Sequence, residues 1–108
     1  MAMAIKYGII TRPDSGPAKP VDVICLHEKD GTMVPLRIRV EDEEGMHQAY
    51  SIHGYRDLSH QGTRMMPDGV YVSDRTLVFE CNITAFGRNK MVRLYYEPDN
   101  TVWRMTAK

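Results

Sequence analysis

Two stretches of the chain alternate apolar and polar residues with a period of two. In the first, Val34, Leu36, Ile38 and Val40 fall on one side and Pro35, Arg37, Arg39 and Glu41 on the other. In the second, Leu77, Phe79, Cys81 and Ile83 are opposed by Val78, Glu80 and Asn82. Successive side chains of an extended backbone point to opposite faces, so each stretch predicts a strand with one buried face. The first is preceded by an apolar run at 21–28 and the turn Lys29-Asp30-Gly31-Thr32, whose Asp-Gly step suits a tight hairpin. The acidic turn Asp42-Glu43-Glu44-Gly45 then leads to a third strand over 46–54, where Tyr50 and Ile52 alternate with Ser51 and His53.

Residues 55–68 lose all periodicity and form the longest irregular stretch, the segment expected to move if any does. Val70-Tyr71-Val72 is a short strand before a turn at Ser73-Asp74-Arg75. After the second alternation, Gly87-Arg88-Asn89 reads as a turn. Residues 91–97 return with Val92, Leu94 and Tyr96 inward, Pro98-Asp99-Asn100 turns again, and residues 101–106 point Trp103 and Met105 into the core.

No window carries apolar residues at helical spacing. The fold expected is therefore all-β, with little or no helix: a small antiparallel barrel-like meander of six to seven short strands, since curling removes the open edges of a sheet. Its domain is placed at 21–108. Ahead of it, residues 5–10 have strand character, whereas residues 12–20 hold three prolines and a glycine and read as a linker within an N-terminal segment spanning 1–20.

A chain of 108 residues, 43% apolar and 26% charged, has the length and balance of one globular domain. Lys and Arg number 14, as do Asp and Glu, so no overall field draws in a polyanion or an anionic membrane. Any charged partner has to meet a local patch. Cys25 and Cys81 sit inside apolar runs and read as core thiols. The scarcity of cysteine and the lack of an export-type apolar start make the cytoplasm the expected compartment. No apolar run approaches the roughly 20 residues that a bilayer-spanning helix needs, so no membrane partner is expected.

The residue types that carry chemistry do not assemble into a motif. His47 and His53 are separated by roughly 20 Å along one strand and cannot share an ion. Cys25 and His27 with Cys81 would offer zinc-type ligands, but the spacings of zinc sites are missing. The run Glu41-Asp42-Glu43-Glu44 lacks the alternation of a calcium loop. Asp68 with Glu80 resembles the carboxylate pair of magnesium-dependent nucleases, with Asn82 standing where those enzymes carry a lysine. Ser59 and His60 have no orienting acid, and the scattered glycines make no phosphate loop. No catalytic residue, metal or cofactor is therefore assigned. The outer faces of two strands do combine bases with a ring: Arg37 and Arg39 on one, Arg93 and Tyr95 on the other, with Arg88 and Lys90 leading into it. Such a face would hold phosphates and stack on a base.

Several strings carry a resemblance: Val21-Asp22-Val23-Ile24, Lys29-Asp30-Gly31, Pro35-Leu36-Arg37-Ile38, Glu41-Asp42, Tyr50 and Ile52, Cys81 and Ile83, Gly87-Arg88, Leu94-Tyr95-Tyr96-Glu97 and Trp103. On these, residues 21–108 resemble a group of short uncharacterised bacterial all-β proteins, which implies a bacterial setting. The function expected is a non-enzymatic binding or interaction module with a protein or nucleic-acid partner. A single-stranded nucleic-acid binder is the alternative, and a metal-dependent hydrolase using Asp68 and Glu80 a third reading. A homodimer through an edge strand is also compatible with the pattern.

Overall fold

The computed structural model describes residues 18–42 and 44–107. The strand expected at 5–10, most of the linker and Glu43 of the acidic turn lie outside the described residues. Within them the chain is all-β, as the alternation requires, and no residue is helical. The strands are β1 (Lys19–Pro20), β2 (Asp22–His27), β3 (Met33–Glu41), β4 (His47–Asp57), β5 (Arg64–Met65), β6 (Tyr71–Val72), β7 (Leu77–Ala85), β8 (Arg88–Glu97) and β9 (Val102–Ala107).

Seven of them form one antiparallel sheet in the order β1-β9-β8-β7-β4-β3-β2, and β5 and β6 make a separate hairpin. The two outermost strands, β1 and β2, are consecutive in sequence with only Val21 between them. A single bent segment thus supplies both edges, so the sheet curls into a barrel-like shape. Val21 marks the bend: its N–H donates to the Trp103 carbonyl at 3.1 Å before the chain crosses to β3. The other corner is β4, whose residues 47–51 pair with β3 and residues 52–57 with β7, with a register shift between Ile52 and Gly54. Strands that change sheets through a bulge or bend are the usual way to build such corners.

The inward face carries the core expected for β7, β8 and β9. Phe79, Cys81, Ile83, Val92 and Leu94 are buried with Ile38 and Val21, and Trp103 and Met105 pack against them. Trp103 stacks on Tyr96 at 4.7 Å between ring centroids and lies 6.1 Å from Phe79. Burial of the Cys81 thiol, with Cys25 and Glu80 nearby, pushes its pKa up to about 12. It is an inert core group at neutral pH.

The expected facing of β3 needs correction. Ile24 pairs with Arg37, but the next residue, Cys25, pairs with Pro35, so Leu36 is an extra residue in the ladder. A bulge of this kind reverses the faces on either side of it. Ile38 remains inward, whereas Pro35 is buried and Leu36 is 45% exposed, the opposite of the strict alternation. The hairpin turn between β7 and β8 also falls earlier than expected, on Phe86-Gly87, with Ala85 facing Arg88 across its mouth.

Of residues 55–68, read from sequence as irregular, residues 55–57 complete β4, where they pair with β7, and residues 58–76 form a roof over the outer face of β7 and β8. The β5–β6 hairpin buries Met66, Val70 and Val72 against Val78 and Tyr95, together with Ala18 and Leu58, in a second core. Ala18 and the β1 residues Lys19 and Pro20, assigned to a linker by composition, belong to the fold. Pro20 is tolerated because β1 is an outer strand, where a missing N–H breaks no central ladder.

The bulge gives a direct stability test. Ile38→Ala should cost about 2–5 kcal/mol in urea unfolding, whereas Leu36→Ala should stay within about 0.5 kcal/mol, as for an exposed site. Equal costs would contradict the bulge.

Candidate functional site

Tyr95 and Arg93 point outward from β8, as the alternation predicts, but the roof covers them: they are 1% and 4% exposed. Neither can reach a phosphate or a base, which removes both from the sequence-predicted nucleic-acid face. Arg93 is instead the buried centre of an ionic cluster whose carboxylates are half-buried. Its guanidinium donates to Glu80 on β7 at 2.6 Å and lies 3.1 Å from the Asp68 carboxylate in the roof turn. Glu80 also receives the exposed Arg56 from β4. Asp68 further accepts the Tyr95 hydroxyl at 2.7 Å and the Thr106 hydroxyl at 2.6 Å, and the Val70 N–H at 3.3 Å.

Asp68 and Glu80, the pair singled out as nuclease-like, are thus brought together, with an arginine between them. Each carboxylate already has a charged partner, and the arrangement does the work of an anchor joining roof to barrel. Burial alone would raise the Asp68 pKa, but hydrogen bonds from Thr106, Tyr95 and Val70 and the charge of Arg93 outweigh it and hold the carboxyl below its usual range. The Glu80 carboxyl is lowered by its hydrogen bonds to Arg93 and Arg56. Burial pushes the Tyr95 phenol up, and acceptance by Asp68 adds to that, so Tyr95 stays a neutral donor.

Three further candidates, Ser59, His60 and His53, are also engaged. The Ser59 hydroxyl accepts the Val78 N–H at 2.9 Å, and His60 Nδ1 pairs with the Asp74 carbonyl at 2.9 Å. His53 Nε2 meets the Thr84 hydroxyl at 2.8 Å. Among the described residues no three His, Cys, Asp or Glu side chains come together as metal ligands, and no helix is long and apolar enough to cross a membrane.

The remaining bases fall into two places. Arg37 and Arg39 are exposed on β3, and Arg39 is tied to Asp22 of β2 at 2.6 Å. Beside them lies a cleft of about 450 Å³ at the Val21 corner, floored by Val23, Val102 and Trp103. On its rim Arg39 is paired with Asp22, and the His47 ring lies 3.9 Å from the Glu41 carboxylate. Arg88 and Lys90 lie on β8, separated from β3 in the sheet by β7 and β4. At about 4.8 Å per strand, that is roughly 14 Å along the sheet, so the structure does not merge the two groups into one patch.

Arg88 and Lys90 follow closely on a residue that the alternation pattern does not single out. Phe86 is 88% exposed, the most exposed of the large hydrophobic residues described. Its backbone is left-handed, φ 54°, and is followed by Gly87 at φ 73°. A two-residue turn with both central φ values positive matches strand twist and favours Asn-Gly. Glycine satisfies the second position, but an aromatic residue at the first is strained. The Lys90 ammonium sits 6.0 Å from the centre of the ring. The signal was present in the sequence: Phe-Gly stands between two strands where Asn-Gly would be expected.

The buried cluster makes stability depend on acid pH. Both carboxylates have folded pKa values below their unfolded ones, so their contribution is complete above the ordinary carboxylate range and is lost as pH falls through the lowered values. Chemical denaturation across that range should show stability falling with acid, and Arg93→Ala should cost about 3–5 kcal/mol at neutral pH by removing the buried cation that serves the half-buried Asp68 and one of the two cations that serve Glu80. A small loss for Arg93→Ala, or stability unchanged down to pH 3, would contradict the anchor.

Comparison with known proteins finds no matching family model, no similar curated protein and no similar solved structure.

Proposed function

We propose that this chain is a non-enzymatic binding module whose contact element is the tip of the β7–β8 hairpin. The observation that carries this reading is Phe86. Left-handed backbone costs an L-residue about 1–2 kcal/mol, and a side chain that is 88% exposed recovers little of that by packing within the chain. Strain of this kind persists where a site uses it. The residues with catalytic character support the same reading from the other side. Asp68 and Glu80 are held by Arg93, Ser59 by the Val78 backbone, and the Cys81 thiol is buried and protonated.

Two measurements test it. Phe86→Asn, which converts the turn to Asn-Gly, should raise stability by about 1 kcal/mol; a loss of stability would mean that the ring packs within the molecule. A photo-crosslinking benzoylphenylalanine placed at Phe86 should form adducts in cells, while the same group at Tyr71, an exposed aromatic on the roof, should not. Equal labelling, or none at Phe86, would overturn the proposal.

A further inference from the structure

We infer that the hairpin tip binds single-stranded nucleic acid, Phe86 stacking on an unpaired base while Arg88 and Lys90 hold the adjoining phosphates; this rests on the tip being the contact element. The charge at the tip is of one sign. Residues 84–90 contain both cations and no carboxylate, and among the described residues neither Arg88 nor Lys90 takes part in an ion pair. In a chain with equal numbers of acidic and basic residues, this is a local attraction for an anion.

The geometry suits a repeating phosphate chain. Arg88 and Lys90 face the same side of β8, opposite Ala85 and Ile83 in the pairing with β7. Two residues of strand separate them by roughly 7 Å, comparable to the step between successive phosphates of an extended strand. Phe86 sits at the end of that row with one face open, and every base offers a flat surface to such a ring. A single projecting ring is too small to supply the clustered anchors of a protein hot spot or the apolar face of a membrane-surface helix. It is sufficient for one base. A duplex keeps its base faces inside the stack, so the site should prefer single strands.

Fluorescence anisotropy of a labelled oligothymidylate and the matching oligouridylate, titrated with the full chain, tests this. Binding should weaken with salt, with a log–log slope of about 1.4 for two phosphates. Phe86→Ala should weaken it roughly tenfold or more, Phe86→Trp should retain it, and Arg88→Gln with Lys90→Gln should flatten the salt slope. All three positions are exposed, and circular dichroism should show each variant folded. Affinity unchanged in Phe86→Ala, equal affinity for duplex, or no binding at low salt would overturn the inference. So would Phe86-dependent retention on phosphatidylglycerol vesicles without oligonucleotide binding. If the oligonucleotides fail while crosslinking at Phe86 still captures a partner, the nucleic-acid assignment falls and the hairpin reading stands. If both fail, the hairpin reading falls with it.

Discussion

The guanidinium of Arg93 joins the two layers of this molecule. It lies between a carboxylate of the barrel, Glu80, and a carboxylate of the roof, Asp68, at a position where water does not reach. Charges buried in this way are costly to desolvate, and the cost is offset only if each finds its partner. The roof must therefore be docked for Arg93 to be tolerated inside, and Arg93 must be charged for Asp68 to be. Tyr95 and Thr106 complete the coordination of Asp68, so β8, β9 and the roof turn share one polar core beneath an apolar one.

This anchoring decides which surfaces are left for function. The outer face of β7 and β8 would otherwise present a base and a ring to solvent, and the roof takes both. The same two strands run on past the roof, and their tip projects Phe86, Arg88 and Lys90 into water. A clamped, rigid base under a projecting turn suits a contact element, because residues positioned by a rigid scaffold lose less freedom when a partner binds.

Much of the barrel was legible in the sequence because its signal is local. Leu77, Phe79, Cys81 and Ile83 alternate without interruption, and Val92, Leu94, Trp103 and Met105 follow the same period, so their inward facing needs no tertiary information. What was not legible depends on partners distant in sequence. The bulge at Leu36 is invisible in β3 alone, since it arises from register against Cys25 and Ile24. The roof has two-residue strands, too short to show a period, and its apolar residues Met66, Val70 and Val72 make sense only against Val78 and Tyr95. The chemistry of Asp68 and Glu80 suggests their pairing from sequence, but the same sequence puts Arg93 on the surface, because alternation gives a side chain its face and says nothing of what covers that face. Phe86 is easily missed in sequence for a related reason: a turn is recognised by the residues that suit it, and Phe86 does not suit this one.

Native-state hydrogen exchange tests the docking of the roof most directly. The Leu58 amide bonds to the Val78 carbonyl and the Met66 amide to the Val70 carbonyl. If the Arg93 anchor holds the two layers as one unit, both amides should exchange with the same opening free energy as the central amides of β7 and β8, and all should lose protection together as Asp68 and Glu80 are protonated. Roof amides that exchange freely while the barrel stays protected would mean that the roof opens by itself, and that Arg93 is not what fastens it.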